Sequence, residues 1–130
     1  MSATPDSWKC IAFTQGEPIN YTATFSRLEF AKLCEGLVPE AMEDEWFIYY
    51  DEPHLFFHRS WTGLPAYRVA LAPRGDAFIV TEALLADNLA NEAEIDRAHQ
   101  VQMLDFVVSN LLLGQNKPFP MPEALSNSPP

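Results

Sequence analysis

The sequence predicts an α+β fold: a four-stranded antiparallel meander with a short N-terminal helix and a long C-terminal helix packed on one face. Three observations carry that expectation. Between Glu45 and Glu82 the apolar residues fall into four strand-like runs rich in aromatic and β-branched side chains. The connections between those runs are short and turn-rich, which requires antiparallel neighbours, because parallel strands need long crossovers. On either side of the strands, apolar residues recur at three- and four-residue spacing, as on one face of a helix.

Taken in chain order, residues 1 to 7 are polar and are expected to fray. Trp8 to Phe13 alternates loosely and reads as a short edge strand or a staple onto the core. Ser26 and Glu29 form a capping box, in which each side chain satisfies a free amide at a helix start. Phe30, Leu33, Cys34 and Leu37 follow at helical spacing and Gly36 suits the end, giving a helix over about residues 26–36. Strands are expected near 45–51, 54–61, 66–72 and 77–82, joined by Glu52-Pro53, by 62–65 and by 73–76. Asn91 and Glu94 are the candidate caps of a second helix. Val101, Leu104, Val108, Leu111 and Leu112 carry it to Gly114, and its narrow polar stripe (Gln102, Asp105, Ser109) places its second half against the sheet. From Gln115 onward the chain holds five of its eleven prolines and has no period. The expected organisation is therefore one domain over 1–114 and a Pro-rich tail over 115–130, either an extended strap or a mobile end.

At 130 residues the chain is long enough to bury a self-sufficient core. Its formal charge of -10 repels phosphate backbones, so nucleic acid is not an expected partner, whereas a basic protein is. Seven acidic residues fall between Glu35 and Glu52 with no basic residue among them. Such a run is either a solvated loop or an acidic docking surface. Cys10 and Cys34 have no metal-ligand spacing, and with no secretory leader at the start of the chain a cytoplasmic location is expected. No apolar run approaches the roughly 18 residues of a membrane helix, so no membrane partner is expected.

The densest signal is Glu45 to Trp61, EWFIYYDEPHLFFHRSW. A sheet so loaded with aromatics must be buried on both faces or shaped to grip a ligand, yet Arg59 and Arg68 are embedded in or beside it. If 62–65 closes a four-residue hairpin, Arg59 faces Arg68 and Trp61 faces Ala66. The Glu52-Pro53 turn sets Trp46 opposite Arg59 and Phe47 opposite His58, and the 73–76 loop sets Arg68 opposite Thr81 and Tyr67 opposite Glu82. One face then ends in Trp46, Arg59, Trp61, Arg68 and Thr81, with His58 on the other. Two arginines directly across a strand pair repel, so a carboxylate or a bound anion must offset them. Flanking indoles add a cation–π attraction of about 0.5–2 kcal/mol. The candidate ligand-binding residues are therefore Trp46, Arg59, Trp61, Arg68, His58 and Thr81, with a small anionic, nucleotide-like ligand.

No catalytic or metal site emerges, and no cofactor is expected. His54 and His58 are four apart on a strand, about 13 Å, beyond shared coordination. A Ser60–His58–Glu82 relay places its first two members about 6–7 Å apart, too far for direct proton transfer. The glycines are isolated in turns and form no phosphate-cradling loop.

The segment Trp46 to Gly63, with W-F-I-Y-Y and then F-H-R-S-W-T-G, continues into Tyr67-Arg68-Val69. It resembles a small bacterial domain family marked by the same hairpin and without an established activity. The likeness covers about 25 residues, transfers no catalytic role, and implies an occasional association with ADP-ribose-handling domains. The leading functional expectation is a non-enzymatic binding or accessory module for a small anionic ligand. The second is an immunity-type interaction module whose acidic region meets a basic protein. The third is a hydrolase of a nucleotide derivative using His58 and Glu82. An uncovered sheet face would favour a homodimer.

Overall fold

The structure, a computed structural model, describes residues 2–120; Met1 and residues 121–130 of the expected tail lie outside the described residues. It is α+β, and its antiparallel sheet has six strands rather than four: β1 Gly16–Pro18, β2 Thr24–Ser26, β3 Trp46–Asp51, β4 His54–Arg59, β5 Pro65–Arg74 and β6 Ala77–Ala86. The expected meander is β3 to β6. The two added strands both pair with the outer edge of β6, Gly16 opposite Ala86 and Thr24 opposite Ile79. Three residues each, they are too short to show alternation, yet they cover an edge that would otherwise offer unpaired amides. At Gly16 a Cβ would lie 2.6 Å from the Leu85 carbonyl oxygen, so glycine permits the close approach.

Helix α1, Arg27–Glu35, starts and stops as its sequence signals require. Glu29 N–H donates to Ser26 Oγ at 3.1 Å, and Ser26 N–H donates to Glu29 Oε1 at 2.9 Å. Gly36 ends it with φ +67°, and a Cβ there would meet the Ile48 carbonyl oxygen at 2.2 Å. Leu37 then exchanges both backbone bonds with Ile48, shielding the outer edge of β3.

The second helix starts later than expected, and a separate short helix precedes it. A short α2, Asp87–Ala90, follows β6 directly. Helix α3, Arg97–Phe106, is capped by Asp96, which accepts from the His99 N–H, not by Asn91 or Glu94. It widens into a π-helical segment, Val107–Leu112, and ends before Gly114 at φ +72°.

The sheet is covered on both faces. One face, carrying Ile48, Leu55, Phe57, Tyr67, Val69 and Leu85, packs against Leu33 of α1 and against Leu104, Val107, Val108 and Leu112. The opposite face carries Phe47 and Tyr49 under Ala3, with Cys10 and Phe56 at the margin. Burying each such large side chain contributes about 1.5–3 kcal/mol. The Trp8 to Phe13 segment is neither strand nor helix. It is a strap, tied by Ile11 N–H to the Gly63 carbonyl at 2.8 Å and by Trp8 Nε1–H to the Ser60 carbonyl at 2.8 Å. No helix among the described residues is long and apolar enough to cross a membrane.

The Gly36 geometry sets a stability ranking. Gly36→Ala is expected to cost about 1–3 kcal/mol through backbone strain and collision with β3, more than the loss of about 1 kcal/mol expected for Ser26→Ala. Urea unfolding of both variants checks this; a Gly36→Ala protein as stable as the wild type would mean the turn is not held against Ile48.

Candidate functional site

The β3–β4 hairpin has the expected register, Trp46 opposite Arg59 and Phe47 opposite His58. The β4–β5 hairpin does not. Its loop is Ser60 to Gly63, closed by Arg59 N–H to the Leu64 carbonyl at 2.9 Å, two residues earlier on the chain than expected. A bulge follows, so that His58 faces Pro65 but Phe57 faces Tyr67 and Phe56 faces Arg68. Relative to the expected pairing this is a slip of three, an odd number, which carries Arg68 to the other face. The β5–β6 pairing also differs: its turn is Gly75-Asp76, Arg68 faces Leu84, Tyr67 faces Leu85, and Thr81 is the extra residue of a second bulge.

The six expected site residues therefore separate. Trp46 and Arg59 stay together: the guanidinium carbon lies 4.6 Å from the Trp46 ring centroid, and Nη2 lies 3.6 Å from Glu45 Oε1. Trp61 stands nearby on the loop, 73% exposed, with Nε1–H donating to the Met42 carbonyl at 2.6 Å. Arg68 lies on the strap side, 5.1 Å over the Phe13 ring and 3.5 Å from Glu82 Oε1. His58 is on that side too, fully buried, with Nε2 2.8 Å from the Ile11 carbonyl oxygen and the ring stacked on Tyr49. Thr81 is exposed and donates to the Ala70 carbonyl at 3.4 Å. No cradle of paired arginines forms, and each guanidinium already has a carboxylate from the chain.

What gathers around Trp46 and Arg59 instead is an acidic cleft of about 510 Å³. Leu37, Val38, Trp46, Met103, Phe106 and Leu111 give it apolar walls, and four acidic residues, Glu40, Glu43, Asp44 and Glu45, line it with Arg59 as the one basic residue. The loop that carries the acids is pinned. Asp44 Oδ2 accepts the Glu40 and Ala41 amides at 2.9 and 3.2 Å, and Ser60 Oγ–H donates to the Asp44 carbonyl at 2.6 Å. Among the described residues Glu40 and Glu43 have no ion-pair partner. A preorganised carboxylate rim over an apolar floor fits a cationic, partly apolar group better than an anion. Residue type alone pointed to the rim through the unbroken acidic run; that helix α3 would supply the far wall could not be read from any local signal. No group of three or more metal-ligating side chains occurs among the described residues.

No family model, curated protein or solved structure matches the chain. The geometry is therefore the whole basis for a functional reading.

Burial, only partly opposed by the bond to Ile11, holds the His58 imidazole below the usual histidine range of about 6.5. The buried Nδ1 has no partner, so a second proton would be an unpaired charge beneath the strap. His54 is lowered as well, by burial first and then by Arg68. The folded state thus binds fewer protons than the unfolded chain. Stability is full above about 6.5 and is lost as pH falls through the depressed folded values. The urea midpoint is expected to drop between pH 7 and pH 5, and to drop less in His58→Gln; identical pH profiles for the two proteins would contradict a neutral, sealed His58.

Proposed function

We propose that the protein is a non-enzymatic binding module whose partner is a basic protein, docked at the acidic cleft beside Trp46 and Arg59. One observation carries this reading: four acidic residues and one arginine line a cleft with apolar walls, and that arginine is already stacked and paired. A small anion entering here would meet net negative charge. A lysine or arginine with apolar neighbours would meet complementary charge and bury those neighbours against the apolar walls. Trp61 on the β4–β5 loop and Met42 on the acidic loop, 73% and 80% exposed and joined by the bond from Nε1–H to the Met42 carbonyl, extend the apolar surface. Exposed indoles of fixed orientation are common anchors of protein contacts.

Recognition of a small anionic, nucleotide-like ligand is the second reading, supported by the half-exposed Arg59 over Trp46. A hydrolase is supported least: His58 is sealed from solvent and Glu82 pairs with Arg68.

The test uses decalysine as the basic probe and ADP-ribose as the anionic one. Decalysine is expected to bind, to weaken steeply between 50 and 500 mM NaCl, and to bind at least about tenfold more weakly to Glu40→Gln/Glu43→Gln. ADP-ribose is expected to leave the melting temperature unchanged. Stabilisation by ADP-ribose that is lost in Arg59→Ala, without decalysine binding, would replace this reading by the anionic one.

A further inference from the structure

Beyond Gly114 the chain turns back along the helix it has just left, and its contacts there resemble those by which one protein holds another's peptide. The Asn110 carboxamide grips the backbone of a single residue at both ends: Lys117 N–H donates to Oδ1 at 3.0 Å, and Nδ2–H donates to the Lys117 carbonyl at 2.9 Å. The Lys117 ammonium reaches Asp105 Oδ2 at 2.9 Å. Two residues on, the Phe119 ring meets Phe106 edge to face, centroids 5.2 Å apart at 71°. One element thus supplies a backbone clamp, a carboxylate for a cation and an aromatic platform, spaced for an extended chain. Pro118 and Pro120 hold that chain extended and reduce the entropy lost on seating it.

The segment 115–120 does not fill the place it occupies. Phe119 remains 60% exposed, and it stands between two open hollows, the acidic cleft of about 510 Å³ and a second of about 480 Å³. The second is lined by Tyr21, Val101, Gln102 and Asp105, with Phe106 and Phe119 forming part of both. The Lys117–Asp105 pair is itself about half exposed. A site with more aromatic wall and more acidic rim than its occupant uses has room for a better occupant.

We propose that the outer face of α3 and the π-helical segment is a recognition site for an extended peptide of a partner protein carrying a lysine two residues before an aromatic side chain, and that Lys117–Phe119 occupies it in cis. The inference rests on the reading of the protein as a module for a basic partner, and it names the partner's recognition element. Asn110 reads backbone and is indifferent to sequence; Asp105 selects the cation; Phe106 selects the aromatic two residues later. The segment 115–120 acts as a tethered competitor at an effective concentration in about the millimolar range. It keeps the aromatic platform covered until a partner with further contacts in the two hollows displaces it.

The experiment uses the full chain and the free peptide acetyl-Gln-Asn-Lys-Pro-Phe-Pro-amide, with binding measured by titration calorimetry. Lys117→Ala/Phe119→Ala removes both side-chain contacts and leaves only the Asn110 backbone clamp, loosening the seated segment without touching the core. The peptide is expected to bind the opened protein at least about tenfold more tightly than the wild type. Adding Asp105→Asn or Asn110→Ala, or replacing the peptide's lysine by alanine, is expected to remove that gain. Equal or absent binding to opened and wild-type proteins overturns the proposal. So does a wild-type dimer that the opening substitutions dissociate, because the seat would then serve a second copy. If the peptide fails while decalysine still binds through Glu40 and Glu43, this inference falls and the proposed function stands.

Discussion

The pairing of β4 with β5 is the constraint on which the rest of the molecule depends. Gly63, at φ +74°, reverses the chain where a Cβ would come within 3.1 Å of the Lys9 and Cys10 backbone, and Pro65, with no amide to donate, opens the next strand. The earlier loop moves the pairing by four residues and the bulge between Phe57 and His58 takes back one, which leaves the odd slip of three. Together they put Arg59 on the face that ends at the cleft and Arg68 on the face beneath the strap. A sheet that set the two guanidiniums side by side would need an anion to hold them. This one separates them and gives each a carboxylate and an aromatic ring of its own.

With that register, the dense aromatic load is distributed between two coverings of different strength. Helices α1 and α3 and the π-helical segment seal one face with a large apolar cluster. The other is sealed by a segment without regular structure, held through isolated hydrogen bonds at Ile11, Trp8 and His58. The acidic loop over residues 39–45 lies where the two coverings meet. It is fastened to the sheet end by Ser60 and Trp61, so the backbone that carries its acidic side chains is pinned at Met42 and Asp44. Rigidity of this kind is what turns a charged surface into a selective one.

Much of the scaffold was legible in the residues. The capping box of Ser26 and Glu29, the glycine stop at Gly36 and the Trp46–Arg59 pairing each depend on neighbours close in sequence, and each is found. The long-range features were not legible. Strands β1 and β2 exist because β6 offers them an edge, not because three residues favour extension. The α3 cap fell to Asp96 because β6 runs on to Ala86 and a short helix follows it. The earlier β4–β5 loop moved the pairing by an even number, and the bulge between Phe57 and His58, which no local signal announces, made the slip odd and exchanged the faces. At the cleft, the acidic run was evident, but Met103, Phe106 and Leu111 reach it only through tertiary packing. Asn110 and Lys117 gave no signal at all, since a lone amide and a lone lysine in a Pro-rich stretch are commonplace.

The most direct check of this account is the cross-strand proton contacts of β4 and β5 by NMR. Close backbone contacts are expected between Phe56 and Arg68 and between Phe57 and Tyr67, with none between Arg59 and Arg68. A backbone contact between the two arginines would contradict the register, return both guanidiniums to one face, and remove the basis for the acidic cleft as the binding surface.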